Sequence, residues 1–122
     1  MTHLGLNYLA ATATKKFSVV GFDENYQKIN KLKMLIIDVI EPGLLSSIKK
    51  NIKRISFTNN FNKLKYCNVV FISKDTATDK DGNSNFKEIK KLINKTIKCV
   101  KKNTTIVVLS QVLPGYIRSI KY

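Results

Sequence analysis

Acidic side chains are scarce here: 8 Asp and Glu stand against 22 Lys and Arg, a formal net charge of +14 at pH 7. That imbalance invites a nucleic-acid reading. The basic residues, however, run along the whole chain and are nearly all Lys, with Arg only at positions 54 and 118. Lys, Asn and Ile are abundant together, as AT-rich coding sequence produces. A solvated, compositionally biased surface accounts for the charge better than a nucleic-acid footprint, and no aromatic-and-basic signature of an RNA-binding module is present. Cysteine is limited to Cys67 and Cys99. This excludes a disulfide framework and a zinc-ligand spacing, and fits two reduced, mostly buried thiols in a cytoplasmic protein. No apolar run reaches the ~18 residues of a membrane span. No basic segment followed by an apolar core opens the chain as a secretory signal would. His3 is the only histidine, and no partner for general acid/base work is identifiable near it. Asp79, Asp81 and Gly82 loosely resemble a calcium loop, but the later ligands do not line up.

What is present is enough for one domain over residues 1–122, with 43% hydrophobic residues to build a core. Leu4, Leu6, Leu9 and Ala13 have helical spacing, predicting a helix over 4–14. Phe17–Phe22 reads as a short strand, and Asp23 stands at its end, 18 residues after Gly5. In a dinucleotide-binding βαβ unit an acid at that distance accepts hydrogen bonds from the adenosine ribose. The glycine loop is partial. If Gly5 is the third glycine of Gly-x-Gly-x-x-Gly, Thr2 holds the place of the second and the first would precede Met1. The helix start would face a pyrophosphate, where backbone N–H groups and the dipole favour negative charge. Gly21 would let the backbone turn close to the ligand.

Farther on, Asp23-Glu24-Asn25 offers an N-cap and an acidic first turn for a helix over 24–33. Met34–Ile40 is apolar and β-branched, predicting a strand. Pro42 suits the first turn of a helix striped by Leu44, Leu45, Ile48 and Ile52. Ile55–Thr58 is a strand, Asn59–Tyr66 a short helix or turn, and Asn68–Ser73 a continuous apolar strand of the kind buried in a parallel sheet. Residues 74–82 form a polar loop. Ser84 or Asn85 caps the longest helix, about 85–102, with Phe86, Ile89, Ile93, Ile97 and Val100 on its core face. Thr104–Leu109 is the last strand. Strands and helices alternate, which argues for an α/β fold with a mostly parallel sheet. The loops carrying Asp23, Thr76 and Ser110–Gln111 all follow strands and would gather on one sheet edge.

Five segments, taken together and in order, resemble the N-terminal cofactor domain of the NAD-dependent UDP-glucose/GDP-mannose 6-dehydrogenases. They are His-Leu-Gly-Leu at 3–6, Val-Val-Gly-Phe-Asp at 19–23, Glu-Pro-Gly-Leu at 41–44, Val-Val-Phe-Ile-x-x-x-Thr at 69–76 with Asp-Lys-Asp-Gly at 79–82, and Ser-x-Val-x-Pro-Gly at 110–115. The resemblance implies a Rossmann-like fold lacking the family's first strand, with NAD as cofactor. It implies a backbone contact from Leu4 in the turn that holds Gly5, a ribose contact from Asp23 with Lys28 beside it, and a contact from Thr76. Gln111 stands where the family has Thr, and Glu41 would shape the substrate side. The family oxidises a sugar-nucleotide alcohol through a cysteine nucleophile; Cys67 and Cys99 do not hold its place. A fragment without turnover of its own is therefore expected, with unpaired strand edges that leave it marginal. Its full-length relatives would take a nucleotide sugar such as UDP-glucose, and a family-type homo-oligomer would need interface segments that are missing here. The alternatives are a non-catalytic NAD-binding fragment and, behind it, a basic nucleic-acid-binding module.

Overall fold

The computed structural model describes residues 1–78 and 84–120. The chain divides into two units, Met1–Leu64 and Lys65–Tyr122. The Asp-Lys-Asp-Gly segment at 79–82 lies outside the described residues.

In the first unit, helix α1 (His3–Thr14) buries Leu6, Leu9, Ala10 and Ala13, which recur every three or four residues and so form one stripe. Thr2 is its N-cap, in extended conformation, and its hydroxyl accepts the Gly5 N–H at 3.1 Å. Replacing Thr2 by alanine is expected to cost about 1 kcal/mol, seen as a lower thermal midpoint by circular dichroism; an unchanged midpoint would show that the cap does not hold the helix. The helix closes through Lys16, at φ 69°, with Lys16 N–H bonded to Ala13 O and Phe17 N–H to Thr12 O, the paired bonds of a Schellman ending.

Strand β1 (Val19–Phe22) follows and pairs in parallel with β2 (Ile55–Thr58), from Val19 opposite Ile55 to Phe22 opposite Thr58. Gly21 is buried inside β1, and its bare Cα faces Leu9 and Phe57. Its role is therefore close packing of helix on strand, not the ligand-side turn expected from the sequence. Helix α2 (Tyr26–Lys33) is capped by Asn25 and buries Ile29 and Leu32. Helix α3 (Leu44–Lys50) buries Leu44 and Ile48.

Two expectations fail in this unit for local reasons. Met34–Ile40 does not join a sheet. Helix α2 ends with Leu35 at φ 59° and with Ile36 N–H reaching back to Lys31 O, so the start of the segment is spent as a second Schellman ending. Its alternation survives: Leu35, Ile37 and Val39 pack on the core while Met34 and Ile40 are exposed. Pro42 also precedes α3 instead of opening it. Leu44 N–H bonds to Glu41 O at 3.2 Å across Pro42 and Gly43, and Gly43 sits at φ 80°. These are the features of a type II turn, which wants proline then glycine at its centre.

In the second unit, β3 (Val69–Ile72) pairs in parallel with β6 (Thr105–Val108). Between them lie a short antiparallel pair, β4 (Ala77–Thr78), in a stretch read from sequence as loop, and β5 (Ser84–Asn85), at the residues read as the cap of the long helix. Helix α4 (Lys87–Cys99) buries Ile89, Ile93 and Thr96; the Thr96 hydroxyl is satisfied by Leu92 O at 2.9 Å. Its N-cap is Phe86, one residue beyond the expected cap, while the Asn85 side chain accepts the Lys87 N–H at 3.0 Å. The core gathers Val70, Ile72, Ile89, Ile93 and Ile120. β3 is covered on one face only: Val70 and Ile72 are buried, Val69 and Phe71 exposed. The fully buried strand read from its apolar run is thus half-exposed.

The α/β architecture with parallel pairing is as expected. Among the described residues β1 pairs with β2 alone and β3 with β6 alone, so each parallel pair has edges without a neighbouring strand.

Candidate functional site

Ligands of open α/β folds bind at the carboxyl ends of the strands, and in each unit the expected residues stand there. In the first unit, Asp23 follows β1 and its N–H continues the ladder to Thr58 O at 3.2 Å. One carboxylate oxygen, Oδ1, accepts the Asn25 N–H at 2.9 Å. The other, Oδ2, meets the Met1 ammonium and lies 4.0 Å from Lys28 Nζ. An ionised carboxylate offers about four acceptor positions, so hydroxyl donors still find lone pairs here. Lys28 is placed by its own N–H, which donates to Asn25 Oδ1 at 3.0 Å and sets the first turn of α2 with the ammonium on the Asp23 side.

The start of α1 supplies the second element. The Gly5 N–H is taken by Thr2, which leaves the N–H groups of His3 and Leu4 without an intrahelical acceptor, at the positive end of the helix dipole. His3 has a partner that spacing concealed: its Nε2 donates to Glu41 Oε2 at 2.6 Å, across 38 residues of sequence. Glu41 thus lies against the start of α1.

In the second unit, Thr76 follows β3 and Gln111 follows β6, and the two meet: the Thr76 hydroxyl donates to the Gln111 main-chain carbonyl at 2.9 Å. That bond leaves the Gln111 side-chain amide uncommitted to Thr76. Next to it, Ser110 Oγ is buried with no hydrogen-bond partner among the described residues. Sequence reasoning quoted Ser110 within its motif but assigned it no contact; its place at the carboxyl end of β6 was the available signal.

Cys67 lies before β3, at the opposite end of that strand from Thr76, and burial pushes its thiol pKa up, away from a nucleophilic thiolate. Among the described residues no His/Cys/Asp/Glu group could hold a metal ion, and no helix is long and apolar enough to cross a membrane. Within the first unit, an acid with spare acceptors and a helix start with two N–H groups suit a ligand that carries both hydroxyl and phosphate groups.

Comparison with known proteins converges on that chemistry. The family model described as "UDP-glucose/GDP-mannose dehydrogenase family, NAD binding domain" matches residues 1–122. A UDP-N-acetyl-D-glucosamine 6-dehydrogenase of Pseudomonas aeruginosa is 31% identical over 116 residues, covering 92% of this chain and 27% of its own length. The UDP-glucose 6-dehydrogenase YwqF of Bacillus subtilis is 28% identical over 123 residues, covering 94% of this chain and 28% of its own. The chain thus spans little more than a quarter of these relatives. The crystal structure of a GDP-mannose dehydrogenase ternary complex from Pseudomonas aeruginosa superposes with a TM-score of 0.85 at 24% identity, over 93% of this chain and 28% of that one; it shows the shared fold.

Proposed function

Since the chain belongs to the UDP-glucose/GDP-mannose dehydrogenase family and forms its NAD-binding domain, we propose that it binds NAD for the oxidation of a nucleotide sugar at a primary alcohol. When bound, NAD supplies a hydride acceptor. The residues of this chain bind and orient. Asp23 accepts hydrogen bonds from the adenosine ribose, and Lys28 lies beside that ribose. Leu4, through its main-chain N–H, and the turn that holds Gly5 meet the pyrophosphate. In the second unit, Thr76 and Gln111 are proposed as cofactor contacts, on the strength of their mutual bond beyond β3 and β6.

The observation that carries this reading is the Asp23 carboxylate at the end of β1 with Lys28 Nζ 4.0 Å away. UDP-glucose is the proposed substrate type of the complete enzyme, and the reducing cytoplasm, which keeps thiols such as Cys67 and Cys99 free, its proposed location. The 122-residue chain is proposed to have no turnover, because neither cysteine stands among the site residues.

Calorimetric titration of the purified chain with NAD is expected to give saturable binding, and incubation with NAD and UDP-glucose to give no NADH absorbance. Absence of saturable binding would defeat the cofactor reading. NADH formation would defeat the claim that this chain lacks chemistry of its own.

A further inference from the structure

Charge is segregated along this chain. No Asp or Glu occurs from residue 42 to 74 or from 89 to 122, although both stretches are rich in lysine. Folding turns that segregation into a place. In the second unit β3 and β6 are parallel, so the residues preceding them share one end: Lys65 and Tyr66 before β3, Lys101 and Lys102 before β6. The last turn of α4 brings Lys98 toward the same end. Two bonds fasten it, from the Thr104 hydroxyl to Cys67 O at 3.0 Å and from Thr105 N–H to Asn68 O at 2.9 Å. Tyr66 is left 72% exposed, with Lys101 Nζ 6.0 Å from its ring centroid. The acids of this unit among the described residues are elsewhere: Asp75 beyond β3, Glu88 in the first turn of α4.

The first unit repeats the pattern by itself. Before β1 come Lys15, Lys16 and Phe17, the last 64% exposed, and before β2 come Lys53 and Arg54. Arg54 Nη1 donates to Lys16 O at 2.8 Å, joining the two strand starts. A helix dipole accounts for a lysine near a helix carboxyl end. It does not account for the exposed Tyr66 ring with the Lys101 ammonium over it, nor for the exposed Phe17 that follows two lysines in the first unit.

We propose that the Tyr66 end of the second unit binds single-stranded nucleic acid, with a base stacked on the Tyr66 ring and Lys65, Lys98, Lys101 and Lys102 on the phosphates. Any base offers a π-face, so such a platform needs no sequence motif. The ammonium groups draw affinity from counterion release. Anionic lipid shares the phosphate chemistry but has no base to stack.

The test is a fluorescence-anisotropy titration of labelled oligo(dT) and oligo(U) with the 122-residue chain across a salt series. Saturable binding is expected, with log K falling against log salt by about 0.7 for each phosphate contacted. Tyr66→Ala should weaken binding about tenfold, the loss of one base–aromatic stack, and Tyr66→Phe should restore it. Lys101→Glu with Lys102→Glu should lower affinity and flatten the salt slope. Lys87→Glu with Lys90→Glu, the same charge change at the other end of α4, should leave affinity near that of the unaltered chain. Circular dichroism confirms that each variant is folded. The proposal is overturned if no oligonucleotide binds saturably, if both charge pairs cost the same, if Tyr66→Phe is as weak as Tyr66→Ala, or if anionic vesicles bind and oligonucleotides do not.

Discussion

Asp23→Ala is expected to raise the dissociation constant for NAD by about ten- to a hundredfold, because hydrogen bonds to an ionised group contribute roughly 1.5–3 kcal/mol and each 1.4 kcal/mol is a factor of ten. The carboxylate is pre-positioned. Its main chain is the last rung of the β1–β2 ladder, and Asn25 N–H fixes one oxygen at 2.9 Å. Little ordering is left for the ligand to impose, which is why the loss should fall on affinity. Asp23→Asn separates charge from shape: the amide keeps one acceptor oxygen but places donors where ribose hydroxyls would donate, so affinity should fall nearly as far. The ion pair with Lys28 is long and the lysine is exposed, so its removal should shift stability by less than about 1 kcal/mol. Calorimetric titration alongside thermal melts distinguishes the cases. An unchanged dissociation constant in Asp23→Ala would remove the ribose assignment, and a collapsed melt would make Asp23 a structural residue.

Gly21→Ala is expected to destabilise the first unit by about 1–3 kcal/mol, the usual cost of forcing a methyl group into a filled core. A Cβ at this position would stand 2.7 Å from Phe57 Cδ1, 2.8 Å from Leu9 Cδ1 and 2.9 Å from Phe57 Cε1. The tip of Leu9 could swing aside, but Leu9 and Phe57 are both buried and have little room to give. Denaturant melts of Gly21→Ala, Phe57→Leu and the double variant form the test. Trimming the ring should relieve the clash, so the double variant should be more stable than the two single losses summed. Simple additivity would mean that the methyl group does not meet Phe57.

The sequence carried the elements whose residues answer to their own neighbours. Leu6, Leu9 and Ala13 announced α1, Ile89 and Ile93 announced α4, and the acid after β1 was legible from its distance to Gly5. What stayed hidden depends on partners remote in sequence or on competition between local motifs. Met34–Ile40 has the composition and the two-residue alternation of a strand, yet Leu35 in the left-handed region ends α2 there first. His3 and Glu41 are 38 residues apart and nothing in either segment names the other. Gly21 read as a flexible turn because glycine serves both bending and close approach, and only the position of Phe57 decides between them. Basic residues spread along the whole chain collect at the starts of the parallel strands, a grouping that only the pairing reveals.

The in-step register of β1 and β2 has a consequence for how this chain tolerates change in length. Val19 to Phe22 sit opposite Ile55 to Thr58 without a bulge, and Asp23 extends the same ladder. Side chains alternate faces with every residue, so one residue inserted or deleted between positions 19 and 22 would turn Asp23 to the opposite face of the sheet. The connections after each strand bear no such constraint. Loop lengths around the site are free to drift over evolutionary time, while the spacing from Val19 to Asp23 is locked by parity.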